Sequence, residues 1–290
     1  MKTNIKVIEL KSDKPGKNIV VLAGVHGNEV CGIKAFDKLI STLKIDAGKV
    51  TFIYSNLEAI KQNRRFIENN LNRCFFQEQD KDIKNSLEGR TAREIIPYLD
   101  KADVMLDVHA SASPNSQPFV ICDKLLIREA NIFDVKLVVC NFDKFEPGST
   151  DYYMNQLSKK GFGIECGYMD DVNSSEFAEK AIIAFLVSNG CIKGSLNIKE
   201  NQRFLKIINL YKNKFGKFIK SREFSDFELL DGKIIVGSDG DKAVYGNKGD
   251  ILLFVRDRDD LNSECFLVAN EISKVIKYKI TKIRKWDLYW

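Results

Sequence analysis

Asn18-Ile19-Val20-Val21-Leu22-Ala23-Gly24-Val25-His26-Gly27-Asn28-Glu29 is a short apolar run that stops at a glycine and passes directly into side chains able to bind metal. A run of this length bounded by glycine reads as a buried strand. Beyond it Val30, Ile33, Phe36, Ile40 and Leu43 recur at helical spacing, and a second apolar run, Lys49 to Tyr54, ends at Asn56. The first third of the chain is therefore strand, helix, strand. Further strands are expected at Asp103 to Val108, Phe119 to Cys122, Val135 to Cys140 and Phe162 to Ile164. Helices are expected between them at Glu88 to Leu99, Leu125 to Ile132 and Ser175 to Asn189, the last stopping at Gly190. Alternation of this kind predicts an α/β domain over residues 1–194 with a mainly parallel or mixed sheet covered by helices.

After Gly194 the pattern changes to short runs rich in Phe, Ile, Val and Tyr, at Phe204 to Tyr211, Lys233 to Val236, Ile251 to Val255, Cys265 to Val268 and Lys274 to Ile280. Asp231-Gly232, Asp239-Gly240 and Lys248-Gly249 supply the turns between them. Residues 195–290 accordingly read as a smaller all-β domain.

Composition narrows the function classes. A chain of 290 residues with 44% hydrophobic content can fill a core, which argues against disorder. No run approaches the roughly 20 apolar residues of a membrane span, and Met1 to Leu10 lacks a signal-peptide core, so a cytoplasmic protein without a membrane partner is expected. The seven cysteines are odd in number, scattered and without a Cys-x-x-Cys pair, which argues for reduced core thiols and against a four-cysteine zinc site. With 45 basic against 40 acidic residues the charge is too balanced to imply nucleic acid. The alternating Lys274 to Lys285 tail reads first as a half-buried strand. The positive balance suits a small anionic substrate, and homo-oligomerisation is left open.

Only two histidines are present, His26 and His109, and each lies just past the predicted end of a buried strand. Open α/β sheets place their chemistry in the crevice beyond the carboxyl ends of strands. Glu29 follows His26 by three residues, so both can converge on one ion if the turn leads into a helix. His109, in Leu106-Asp107-Val108-His109-Ala110-Ser111, would complete three protein ligands with a position left for water. A lone His-x-x-Glu is more often accidental, and a lone strand-end histidine is often structural; it is the joint placement that points to a metal centre.

Two more stretches carry chemistry. Arg64-Arg65-Phe66-Ile67-Glu68-Asn69-Asn70-Leu71-Asn72-Arg73-Cys74-Phe75 holds three arginines that could clamp carboxylates, or could form a solvated loop. Gly161-Phe162-Gly163-Ile164-Glu165-Cys166-Gly167 puts a carboxylate at an apolar, glycine-flanked strand end. Desolvation there tends to raise its pKa toward that of a general base, although a buried structural glutamate fits as well.

Gly24 to Glu29, Asn56 to Ala59, Arg65 to Phe75, Asp107 to Ser111 and Ile164 to Gly167, in that order, resemble the succinylglutamate desuccinylase and aspartoacylase family, a branch of the zinc carboxypeptidase-like hydrolases. The resemblance implies a carboxypeptidase-like mixed sheet with flanking helices, followed by a β-rich domain that partly covers the cleft. It implies one zinc per chain on His26, Glu29 and His109, with Glu165 as the catalytic carboxylate and Arg65 beside the scissile carbonyl. Asn72 and Arg73 would grip a substrate carboxylate, and Tyr245 stands about where relatives carry a substrate-facing tyrosine. The implied activity is hydrolysis of the amide bond of a small acidic N-acyl amino acid. The alternative is a zinc carboxypeptidase or peptidoglycan-type amidase, since the same ligands serve peptides in an open cleft. One departure stands out: aspartoacylases carry an arginine upstream of the catalytic glutamate, whereas Asp151 to Leu157 has none and Lys159 and Lys160 are the nearest cations.

Overall fold

A computed structural model describes residues 3–76 and 80–272. The chain packs as two units, Met1–Lys136 with Phe142–Gln202, and Leu137–Asn141 with Arg203–Trp290.

In the first unit the strands Lys49–Tyr54, Asn18–Ala23, Val104–Ser111 and Lys160–Tyr168 lie side by side and parallel. Lys6–Lys11 pairs antiparallel with Lys49–Tyr54 at one edge, and Phe119–Cys122 antiparallel with Lys160–Tyr168 at the other. The central strands are buried on both sides, which is why they read as largely apolar runs, with Asp107 and His109 the polar exceptions inside Val104–Ser111. The edge strand Lys6–Lys11 is half-exposed and its apolar residues are interrupted by Glu9, a weaker signal than a longer apolar run.

Side chains alternate between two cores. Val20, Leu22, Ile53 and Met105 face Ala92, Ile95 and Leu99 of the helix Leu87–Leu99 and Tyr153 and Met154 of the helix Thr150–Gln156. On the other face Phe36 of the helix Cys31–Leu39 meets Phe52 edge-on, with ring centroids 5.0 Å apart, while Phe185 of the helix Ser174–Ser188 packs against Phe162. Each such fully buried ring is worth roughly 1.5–3 kcal/mol over an exposed one.

The first helix spans fewer residues than the Val30 to Leu43 pattern, and its buried face is Cys31, Gly32, Ala35, Phe36 and Leu39. Small residues let its backbone come close to the sheet, leaving Ile33 and Ile40 only half-buried. Leu125 to Ile132 is not the predicted helix. Asp123 accepts the amide of Leu125 and a chain of short turns follows, mostly closed by bonds over three residues, with a single 3-10 turn at Glu129–Ile132.

In the second unit Leu137–Cys140 pairs parallel with Arg203–Lys212, which pairs antiparallel with Glu264–Glu271, followed by Ile251–Leu253 and Glu228–Leu229. Phe218–Lys220, Ile234–Asp239 and Lys242–Gly246 form a three-stranded antiparallel sheet. This partition differs from the expected one at two places. Residues 195–202 pack with the first unit, where Gln202 donates to the carbonyls of Ala130, Phe133 and Val135. Leu137–Cys140 packs with the second, because its hydrogen-bonded partner is the strand Arg203–Lys212. The expected strand Lys274 to Ile280 lies outside the described residues. No helix among the described residues is long and apolar enough to cross a membrane. All seven cysteines are buried and none is in a disulfide.

Candidate active site

The strand Asn18–Ala23 runs into Gly24, whose backbone has φ +69°, a conformation that side chains rarely adopt. The turn this opens is closed by a hydrogen bond from the amide of Glu29 to the carbonyl of His26, 3.1 Å, immediately before the helix Cys31–Leu39. Gly27 is required by crowding: a Cβ there would lie 2.1 Å from the carbonyl carbon of Ala59. That contact ties the His26 turn to the Asn56 to Ala59 segment, where Asn56 caps the short helix Leu57–Lys61.

His26, Glu29 and His109 come together with one ligating atom from each lying within 4.8 Å of the others. All three are buried. Nδ1 of His26 is 2.8 Å from Oε1 of Glu29, and Nδ1 of His109 is 2.9 Å from Oε2. The opposite ring nitrogens are fixed by acceptors. Nε2 of His109 lies 3.0 Å from Oδ2 of Asp107, and Nε2 of His26 lies 3.0 Å from Oδ1 of Asn70. Since the same Asn70 oxygen accepts the amide of Asn72, it is an acceptor for His26 too, so the proton sits on Nε2. The Asn72 amide nitrogen, 3.4 Å from Nε2 of His109, adds little once that proton points at Asp107. Asp107 is itself fixed by the hydroxyl of Thr150 at 2.6 Å.

The electrostatics follow from burial and these neighbours. Burial, with Arg65 adding to it, pushes the His26 imidazole down to about 4 despite Glu29. Burial alone would lower His109, but Asp107 and Glu29 outweigh it and carry the imidazole well above its usual range. Burial alone would raise Glu29, and the two histidines overcome it to hold the carboxyl well below the usual range. His26 is thus neutral at pH 7, and its buried Nδ1 makes no well-directed hydrogen bond. A neutral imidazole lone pair aimed at a carboxylate is repulsive unless a cation lies between them, so these residues fit a metal ion.

The other predicted residues fall as follows. Arg65 places NH1 2.8 Å from Oε1 of Glu29, at the edge of the cluster. Glu165 is half-buried and lies level with His109 on the neighbouring parallel strand. Arg73 follows Asn72 in a 3-10 turn and pairs with Glu146 at 2.6 Å. Tyr245 belongs to the second unit, half-exposed, paired across strands with Ile235 and with the Lys233 ammonium 4.7 Å from its ring centroid. Sequence reasoning assigns no role to Asp107, Asn70 or Thr150, all of which the fold brings to the cluster. Asp107 has a signal, since a residue two before His109 on the same strand shares its face; Asn70 and Thr150 reach the cluster through tertiary contact alone.

The unit is a parallel-centred α/β fold with a buried His-Glu-His cluster that could hold a metal ion; His109 lies within the strand Val104–Ser111, not just past its end as the sequence pattern predicts. The chain belongs to the succinylglutamate desuccinylase/aspartoacylase family: the profile of that catalytic domain matches residues 15–187. It is 29% identical over 167 residues to a protein of Nostoc sp. named "Probable aspartoacylase", covering 51% of this chain and 54% of that one. It is 27% identical over 187 residues to a succinylglutamate desuccinylase of Pseudoalteromonas atlantica, covering 55% and 51%. The matches thus span about half the length of these relatives. The fold is similar to that of a succinylglutamate desuccinylase from Vibrio parahaemolyticus, with a TM-score of 0.77 at 18% identity over 92% of this chain and 86% of that one.

Proposed function

We propose that this protein is a zinc-dependent hydrolase that cleaves the amide bond of a small N-acyl amino acid. The observation that carries the reading is the convergence of His26, Glu29 and His109, with a neutral, buried Nδ1 of His26 facing a carboxylate. Two imidazoles and one carboxylate are a catalytic zinc ligand set. When bound, the zinc supplies acidification of water and polarisation of a carbonyl.

The chain's own residues do the rest. Glu165 takes the proton of the attacking water and returns it to the departing amine, which must leave protonated. Arg65, anchored by Glu29, offers a guanidinium to the carbonyl oxygen as that oxygen gains charge. Asn72 and Arg73 bind the substrate carboxylate, with Glu146 orienting the Arg73 fork. In the stretch where aspartoacylases supply an arginine for a second carboxylate, Asn155 instead donates to Oδ2 of Asp143 at 2.8 Å. A substrate with a neutral or different second group fits better than N-acetylaspartate.

The test is amine release from N-acetylaspartate, N-succinylglutamate, N-acetylglutamate, N-acetylglutamine and N-acetyl neutral amino acids, with wild type and Glu165→Gln. At least one is expected to be hydrolysed, with N-acetylaspartate not the best. Glu165→Gln is expected to lower kcat by about 100-fold or more, the scale of lost general-base catalysis, with zinc and thermal midpoint retained. Near-normal turnover by Glu165→Gln would remove the base assignment. A preference for N-acetylaspartate of about tenfold, or 1.4 kcal/mol, would overturn the specificity reading.

A further inference from the structure

The residues 62–70 form neither helix nor strand, and Asn63 within them has φ +50°. Backbone amides of such a segment need partners when they are shielded from water. Three in succession find the same one. The amides of Ile67, Glu68 and Asn69 donate to the carboxylate of Glu88, at 2.7 Å to Oε1 and 3.2 and 3.0 Å to Oε2, and the side chain of Asn56 donates to Oε1 at 3.2 Å. Glu88 is fully buried in the first turn of the helix Leu87–Leu99. Burying a carboxylate is costly, and what offsets the cost here is hydrogen bonding from this loop together with the favourable helix end.

We infer that Glu88 is a positioning residue, whose carboxylate fixes the backbone of residues 67–69 so that the side chains on either side of them face the metal cluster. On one side Arg65 reaches Glu29; on the other Asn70 accepts from His26 and from the amide of Asn72. Glu88 thus acts through the loop, since its own hydrogen bonds run to the loop and to Asn56. This also accounts for the Asn56 to Ala59 stretch. Asn56 is fully buried, donates to Glu88 and is itself held by Asn4, whose amide also donates to Thr91 at 2.9 Å. The role assigned to the loop rests on the proposed hydrolase reading; the hold of Glu88 on its backbone does not.

The test compares Glu88→Gln with Thr91→Val. Glutamine keeps the shape but turns an N–H2 group toward amides that also donate, so it cannot accept all three. Valine removes a buried hydroxyl on the same helix and in the same network without touching a loop amide. Both are expected to lower the thermal midpoint. Only Glu88→Gln is expected to speed hydrogen exchange at the amides of residues 67–69 by tenfold or more. Only it is expected to raise KM tenfold or more for the acyl-amino acid that wild type hydrolyses, with Thr91→Val within twofold. Unchanged exchange at residues 67–69, or equal KM shifts in the two variants, would overturn the inference. Should Glu88→Gln not fold, Glu88→Asp, which keeps the charge and draws it back by one methylene, carries the same measurements. Exchange needs no substrate, so failure of wild type to release amine would count against the proposed function while exchange alone decides for Glu88.

Discussion

Both histidines expose Nδ1 to Glu29, yet they are tuned in opposite directions, His26 by burial and His109 by Asp107. The consequence for stability has a definite sign. The unfolded chain protonates His26 near 6.5, whereas the folded chain refuses that proton until about 4, so this group costs stability as pH falls between the two. With metal removed, the stability difference between wild type and His26→Gln is expected to shift by about 2 kcal/mol against wild type between pH 7.5 and pH 5. Urea unfolding at the two pH values checks it, and a pH-independent difference would mean that His26 is not held neutral. Asp107→Asn removes the carboxylate that fixes the His109 tautomer and is expected to weaken zinc binding by about 10- to 100-fold, read in a chelator competition. The candidate ligands are legible in the sequence because a two-histidine chain leaves few choices. Their partners are not, since Asn70 and Thr150 are brought in only by folding.

At the scale of elements, the runs Asn18–Ala23, Lys49–Tyr54 and Phe119–Cys122 announce their own limits, because strands buried on both faces are apolar over most of their length. The helix Thr150–Gln156 escapes the sequence pattern. It is short, and the signal that starts it is Ser149, whose hydroxyl accepts the amide of Tyr152. Its omission hides Thr150, the residue through which this helix holds Asp107. The turn from Gly24 to Glu29 is the element on which the site depends most. Gly27→Ala would force its Cβ onto the backbone of Ala59 and Ile60, so overpacking of roughly 1–3 kcal/mol and loss of zinc affinity are expected together. Calorimetry with and without zinc reads both, and normal zinc binding by the Gly27→Ala variant would show that the turn tolerates displacement.

At the scale of the whole molecule, a parallel-centred sheet brings together His26, Glu29 and His109, a group that could hold a metal ion, with a loop of arginines and asparagines set beside them. The family match over residues 15–187 covers most of the first unit, together with Leu137–Asn141 of the second. The most direct measurement is titration of zinc into metal-free protein while amine release from the best acyl-amino acid is followed. Activity is expected to rise linearly and saturate at one equivalent per chain, and His26→Ala and His109→Ala are expected to show no such rise. Activity indifferent to zinc, or the same one-equivalent saturation in both variants, would contradict the account.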